Sequence, residues 1–553
     1  MNFYEEDSNL QTILKEQLDL PLWEWAEEQL QEFGALCAGE IDRRARHTDR
    51  EGQPKLIKYD KYGEDQSEVW LNEGYKKTIA ETYGAGIVGY IHKDIPELGR
   101  PGGYVYSFAQ GYLLSQAESG FYCPVTLTMA TAYLIERYAS QELKERYLPH
   151  VLSTGEMELY EGATFLTERQ GGSDVGANEV KAFSEENHFL IYGEKYFASN
   201  AGACGIAMVL ARLEDAPSGT KGLSLFLVPW RKDNGELNGI QIRRLKDKLG
   251  VRAVPSAEVE FSGAEAYLVG KPEQGFYYMM EALNLSRVCN ATASIGIMRR
   301  AYTESLDYAS KRTAFGNRLI DFPMIKDTLV RLRVKQETET RTVFDMVSHF
   351  EESVSSKCSA PSSEEVMNRL KIAIIKKETA EQAVAFTHEA IELHGGNGYI
   401  EDFVMPRLLR DAQVLTVWEG TANILGLEVI RLLNKFEAHS LFYEEMIHRL
   451  EQVNRFASQV EVVKQEIKSL GDQVTEILNQ SSDIQTYYSK SIARQMAIIY
   501  EAVIALEAGK NSRKAEKIAE IYVQLAFGEE QVTGEPLTLR YADELLDLSK
   551  ARE

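Results

Sequence analysis

At 553 residues the chain is too long for one hydrophobic core, since single cores stop growing at roughly 250 to 300 residues, and a formal net charge of −23 makes its mean surface repel nucleic-acid phosphate. A hydrophobic share of 44% beside 26% charged residues excludes a disordered chain. Five cysteines without a C-x-x-C pair offer neither a zinc site nor a disulfide framework, so no metal is expected, and no run approaches the roughly 20 apolar residues of a membrane span.

The first seven residues are acidic and lack the basic and apolar regions of a secretory signal, which together with the cysteine usage leads to a cytoplasmic expectation. From about residue 20 to 160 apolar residues recur at helical spacing, as in Trp23, Ala26, Leu30, Phe33 and Cys37, and 125–138 continues the pattern. This predicts a helical first domain over 1–157, with Pro101-Gly102-Gly103 as a loop. Inside it, Gly84-Ala85-Gly86-Ile87-Val88-Gly89 matches the G-x-G-x-x-G of dinucleotide-binding folds. That motif has mechanical meaning only between a strand and a helix, and here it follows the polar, helix-like stretch 73–83, so we read it as a glycine-rich loop after a helix.

Between 158 and 272 the period changes to short apolar or alternating runs at 188–197, 206–213, 223–229, 240–244 and 257–261, separated by turns such as Ala216-Pro217-Ser218-Gly219 and Asp233-Asn234-Gly235. This predicts a small antiparallel β-domain of the barrel or sandwich kind. Helical spacing returns at 273 and predicts a helix bundle over 273–436, interrupted by a Ser-rich loop at 353–363. A further helical domain is expected over 437–553; it carries 13 Lys and Arg against 20 Asp and Glu. The expected fold class is therefore α+β and multidomain: a helical N-terminal domain, a small β-domain, a helix bundle and extra C-terminal helices. Strands do not alternate with helices as a doubly wound nucleotide fold requires.

Three separated segments carry chemistry. The first is Thr164-Phe165-Leu166-Thr167-Glu168-Arg169-Gln170-Gly171-Gly172-Ser173-Asp174, with Phe197-Ala198-Ser199 after a strand-sized gap. The second is Lys311-Arg312-Thr313-Ala314-Phe315-Gly316. The third is His394-Gly395-Gly396-Asn397-Gly398-Tyr399, leading through Leu409-Arg410-Asp411 to Trp418-Glu419-Gly420-Thr421. Singly each has a plain structural reading: Gly171-Gly172 as a turn, Arg312 as a solvated helix residue, His394-Gly395-Gly396 as a helix C-cap, Glu419 as an exposed loop glutamate. In this order and across this layout they closely resemble the acyl-CoA dehydrogenase family over roughly residues 20–435. Phe121-Tyr122-Cys123-Pro124, Leu245-Lys246-Asp247-Lys248-Leu249-Gly250 and the helical extension resemble its AidB-like, alkylation-response branch.

The resemblance implies FAD. Thr164, Leu166, Thr167 and Ser173 match the segment that holds the flavin ring, Ser173 also falling where the family contacts its ligand. Phe197, Ala198 and Ser199 match the second flavin-contacting segment, where many members carry Trp in place of Phe197; an aromatic face packs on a ring system in either case. Arg312 and Phe315 match residues that hold the pyrophosphate and adenine of a neighbouring subunit's FAD, a role suited to the planar guanidinium fork. Gly395 and Gly396 match the loop whose backbone amides approach the pyrophosphate. Trp418, Gly420 and Thr421 flank Glu419, which matches the base that removes the α-proton of an acyl-CoA thioester, and Glu419 lies in an apolar stretch that favours a raised pKa. Its backbone N–H inherits the contact to the thioester oxygen. Arg287 matches a position near the CoA moiety, beside its reading as a helix ion-pair residue.

The implied partners are an acyl-CoA substrate, an electron-transfer flavoprotein as acceptor and further copies of the chain, with a tetramer as the family pattern. Two other functions share these motifs: an oxidase that returns electrons to O₂, and an AidB-like nucleic-acid-associated stress protein. The acidic extension weighs against nucleic acid, and Lys510, Arg513, Lys514 and Lys517, interspersed with Glu507, Glu516 and Glu520, read as an ion-paired face.

Overall fold

A computed structural model describes residues 1–355, 362–528 and 534–548, and the chain folds as two compact units: residues 1–6 with 18–289, and residues 7–17 with 290–553. Helix α1 (Ser8–Gln17) belongs to the second unit. In the first, α2 (Leu20–Leu36) starts at the Asp19 N-cap, whose carboxylate accepts the Leu22 N–H, and runs on into α3 (Asp42–Arg50). Two strands, β1 (Lys55–Tyr59) and β2 (Asp65–Trp70), form an antiparallel hairpin where the helical pattern predicts none. Its turn is built by Asp60, whose carboxylate accepts the N–H groups of Tyr62 and Glu64.

Helix α4 (Glu73–Gly84) follows, then the short α5 (Gly89–His92). A helix and not a strand leads directly into Gly84: the Ala85 and Gly86 N–H groups bond back to Glu81 and Tyr83, and Gly86 takes φ 81°, so the glycine run is a helix C-terminus, as expected. Helix α6 (Gly103–Tyr138) is buried almost throughout and breaks its regular backbone at Glu118 (φ −147°, ψ 74°), before α7 (Gln141–Val151).

Seven strands then form one sheet: β3 (Gly162–Phe165), β4 (Lys181–Ser184), β5 (Phe189–Ser199), β6 (Ile206–Leu213), β7 (Leu223–Pro229), β8 (Ile240–Leu245) and β9 (Ser256–Val269). Strands β6 and β7 are buried on both faces, as continuous apolar runs require. Most pairings are antiparallel, but β3 and β4 both pair parallel with β6, a departure from the all-antiparallel expectation. Both strands are four residues long, too short to declare a partner through their own pattern. The core between the faces includes Phe165, Ile191, Val209, Phe226, Trp230, Val259 and Phe261.

Helix α8 (Gly275–Lys311) runs from the first unit into the second. There it is followed by the hairpin β10 (Thr313–Ala314) and β11 (Asn317–Arg318), then by α9 (Pro323–Ser355) and α10 (Ser363–His394). The Ser-rich loop expected at 353–363 lies largely outside the described residues. Helices α11 (Met405–Leu415) and α12 (Ala422–Phe436) pack on α10. The expected extension is helical where described: α13 (Ala438–Glu451), α14 (Ala457–Leu478), α15 (Ser482–Ala508), α16 (Arg513–Phe527), α17 (Leu537–Arg540) and α18 (Ala542–Leu545). Helix α15 packs against α9, α10 and α12, so the extension is built into the bundle. Among the described residues no helix is long and apolar enough to cross a membrane.

Candidate active site

In the first unit, β3 carries the half-buried Thr164 and the chain leaves the strand through Leu166 and Thr167. The Thr167 carbonyl accepts the Tyr196 N–H at 2.9 Å, which sets Phe197, Ala198 and Ser199 of β5 beside 164–167. The two sequence-predicted segments are thus neighbours. Gly171 takes φ 126°, and a Cβ on Gly172 would stand 2.6 Å from Thr167 Oγ1, so glycine lets the loop fold back over Thr167. Ser173, on that loop, is exposed.

Three residues that sequence reasoning passed over hold this loop. Lys195 is wholly buried and donates to the Glu168 carboxylate at 2.7 Å and the Leu166 carbonyl at 3.2 Å. Glu168 also accepts the Glu179 and Val180 N–H groups at 2.6 and 3.3 Å, and Asn178 Nδ2 donates to the Leu166 carbonyl at 2.8 Å. A buried ion pair is tolerated only when its remaining hydrogen-bonding capacity is filled, and here that capacity is directed at one stretch of backbone. The available signal was strand parity: two-residue alternation from buried Ile191 puts Lys195 on the inward side of β5.

Phe197 is 56% exposed, leaving an aromatic face open as a stacking surface. Lys246 Nζ lies 4.7 Å from its ring centroid and 3.3 Å from that of Tyr196. Glu258 accepts bonds from Arg244 (2.8 Å) and Lys246 (2.6 Å), which hold its carboxyl at about 2. Just before β3, Glu161 is buried with its carboxyl receiving the Tyr83 hydroxyl at 3.0 Å; burial pushes it up to about 7 against that bond. Arg287, on the part of α8 within this unit, is 5% exposed and donates to Asn284 Oδ1 at 3.0 Å.

In the second unit, α11 ends with the Val417 and Trp418 N–H groups both bonded to the Val414 carbonyl. Trp418 and Glu419 are half-buried. Glu419 then takes φ 59° and Gly420 φ 103°, and Thr421 returns to extended backbone as the cap of α12. Left-handed backbone is routine for glycine and costs a glutamate of order 1 kcal/mol, which persists only where the surroundings impose it. Lys376 of α10, 1% exposed, donates to the Gly420 carbonyl at 2.7 Å.

The glycine loop after α10 lies in the same unit. Gly395 takes φ 57°, and a Cβ at Gly395 or Gly396 would meet no atom within 4 Å. The Gly395 N–H is bonded to the Glu392 carbonyl, and the open space around both glycines leaves room for an anionic group to approach the backbone. Tyr308 ties this loop to the end of α8: its ring centroid is 4.3 Å from that of His394, and its hydroxyl accepts Asn397 Nδ2 at 3.1 Å. One turn beyond, Arg312 is exposed. The hairpin after it turns through Phe315 (φ 52°) and Gly316 (φ 82°), the double positive φ of a two-residue turn, and leaves Phe315 96% exposed.

Residues 163–264 match the acyl-CoA dehydrogenase middle domain, residues 273–433 the acyl-CoA dehydrogenase C-terminal domain, and residues 1–155 the N-terminal domain of the adaptive response protein AidB. The chain is 30% identical over 535 residues to acyl-CoA dehydrogenase family member 11 of Caenorhabditis elegans, spanning 93% of this chain and 85% of that one. It is 30% identical over 437 residues to the putative acyl-CoA dehydrogenase AidB of Escherichia coli, spanning 76% and 78%. The crystal structure of Caenorhabditis elegans ACDH-11 in complex with C11-CoA superposes with a TM-score of 0.87 at 27% identity, covering 97% of this chain and 91% of that one.

Proposed function

Because the chain belongs to the acyl-CoA dehydrogenase family, in its AidB-like branch, and is thus an FAD-dependent oxidoreductase of acyl-CoA, we propose that Glu419 is the base that removes the α-proton of the acyl thioester. The observation that carries this reading is the conformation of its loop: a half-buried glutamate in left-handed backbone, in the Trp-Glu-Gly-Thr frame, one residue from a buried lysine contact. FAD, when bound, would supply the acceptor for the hydride that leaves the β-carbon. The backbone N–H of Glu419 donates to the thioester oxygen as it gains enolate character. Thr164, Leu166, Thr167, Phe197, Ala198 and Ser199 are assigned to the flavin ring, and Trp418, Gly420 and Thr421 to FAD as well. Gly395 and Gly396 receive the pyrophosphate, and Arg287 and Ser173 serve the CoA ligand.

Arg312 and the projecting Phe315 are assigned to the FAD of a neighbouring copy, which makes the working form an oligomer, a tetramer on the family pattern. The electron acceptor is an electron-transfer flavoprotein. The test follows flavin absorbance during anaerobic titration with acyl-CoAs of graded chain length, including an eleven-carbon thioester. The wild type bleaches with at least one of them, and Glu419→Gln slows bleaching at least about 100-fold while retaining FAD. A variant that bleaches at the wild-type rate removes Glu419 from the role. Stoichiometric peroxide in aerobic turnover overturns the dehydrogenase assignment in favour of an oxidase.

A further inference from the structure

We propose that Lys376 is a positioning residue for Glu419, an inference that rests on the reading of Glu419 as the base. Glu419 and Gly420 form two successive left-handed residues, φ 59° and 103°. Such a pair can exchange with other turn geometries by rotating the peptide planes that follow each residue, which shifts the loop backbone that carries Glu419. The Gly420 carbonyl is the group such a rotation displaces. It is held at 2.7 Å by the Lys376 ammonium, reaching from the middle of α10, the helix on which both α11 and α12 pack. The anchor therefore belongs to the rigid floor beneath the loop.

The Lys376 Nζ is bonded to a carbonyl two residues ahead of the first residue of α12, where the helix dipole presents positive potential, so an ammonium there is placed against the field. At 1% exposure it is also removed from water, which penalises the charged form. What this buried cation fixes is the direction of the Gly420 carbonyl, and with it the course of the loop just past Glu419. Holding a reacting group within a fraction of an ångström matters greatly, because a displacement of about 1 Å can cost about 100-fold in rate.

The experiment compares Lys376→Met and Lys376→Arg with wild type and with Glu419→Gln, all loaded with FAD. Single-turnover flavin reduction gives the rate at saturating acyl-CoA and the half-saturating concentration, and hydrogen exchange is read on a peptide covering 416–421. Lys376→Met is expected to lower the saturated rate about tenfold or more with the half-saturating concentration within about twofold. It is also expected to speed exchange in 416–421 while distant helices keep their protection. Lys376→Arg, which keeps a cationic donor, restores most of both.

Wild-type exchange in 416–421 for Lys376→Met overturns the proposal whatever the activity. So does a rate that falls only in step with lost FAD, without rescue by arginine. If Lys376→Met does not fold, the arginine variant decides: a rate no better than that of Glu419→Gln in a folded, FAD-loaded protein refutes it. Should Glu419→Gln itself reduce the flavin normally, the reading of the base fails and takes this inference with it. An inactive Glu419→Gln beside a wild-type Lys376→Met sinks the lysine alone.

Discussion

Glu419 occupies a conformation that its own chemistry disfavours. If the strain serves function, removing it costs nothing in stability and everything in activity. Glu419→Gly relieves a left-handed penalty of order 1 kcal/mol and adds back a comparable unfolded-state entropy, so its melting temperature should stay within a few degrees of wild type while acyl-CoA bleaching disappears. Glu419→Val, β-branched at φ 59°, should melt clearly lower. A glycine variant that loses as much stability as the valine would show that the backbone there is not imposed from outside. A second residue-scale prediction concerns Glu161. Its folded pKa of about 7 lies above the ordinary value of 4.5, so the stability it contributes is fully present below pH 4.5 and is lost as the pH rises through about 7. The loss amounts to about 3 kcal/mol. Glu161→Gln keeps an acceptor for the Tyr83 hydroxyl without the ionisation. Its thermal stability, followed from pH 4.5 to 8, should fall less than that of wild type, and parallel curves would exclude the effect.

At the scale of elements, legibility followed the range of the interaction that makes each one. Long helices such as α10 and α15 were readable because their apolar spacing is local, and β6 and β7 because double-sided burial leaves an unbroken apolar run. The β1–β2 hairpin was not, since its strands carry Lys55, Lys58, Asp65 and Glu68 and bury one face lightly. The candidate site divided the same way. Glu419 and the glycine loop stood out as motifs, whereas Glu168, Lys195 and Lys376 act through side-chain contacts across 27 and 44 residues and look like surface charges in a linear reading. A similar hidden group joins the extension to the bundle. Lys335 of α9 lies 3.1 Å from Glu339, 3.3 Å from Glu378 of α10 and 2.6 Å from Glu501 of α15, and the Tyr522 hydroxyl of α16 donates to Glu501. Burial raises the Glu339 carboxyl well above its ordinary range, which disfavours its charged form. Replacing Glu339 by Gln should therefore change stability by less than about 1 kcal/mol, while Lys335→Met strands buried carboxylates and should cost about 3 to 5 kcal/mol. Denaturant unfolding of both variants at pH 7 checks the contrast, and equal losses would contradict it.

For the whole molecule, charge and assembly set the remaining expectations. The basic residues of α16 are not a free patch: Lys514 bonds Asp547 at 2.9 Å, and Arg513 and Lys517 both pair with Glu544. The partners come from α18 and the residue just beyond its cap, and not from the acids interspersed on α16 that the linear reading favoured. With that neutralisation and a net charge of −23, the extension offers duplex phosphate little to bind. Outward-facing apolar surface tells more. Phe315 is 96% exposed at the tip of a turn that itself demands two left-handed residues, an expensive way to present an aromatic ring to water. Under the proposed assignment, the ring meets the FAD of a second copy of the chain. Phe315→Ala should leave the unfolding of the FAD-free protein unchanged, because the ring has almost nothing of its own chain to lose. Arg312→Ala, on an exposed side chain, should behave alike. Both should release FAD faster on dilution and shift the protein toward smaller species in analytical ultracentrifugation, the double variant more than either. Flavin release and assembly that match wild type in both variants would leave the hairpin without a partner and confine the cofactor to one chain.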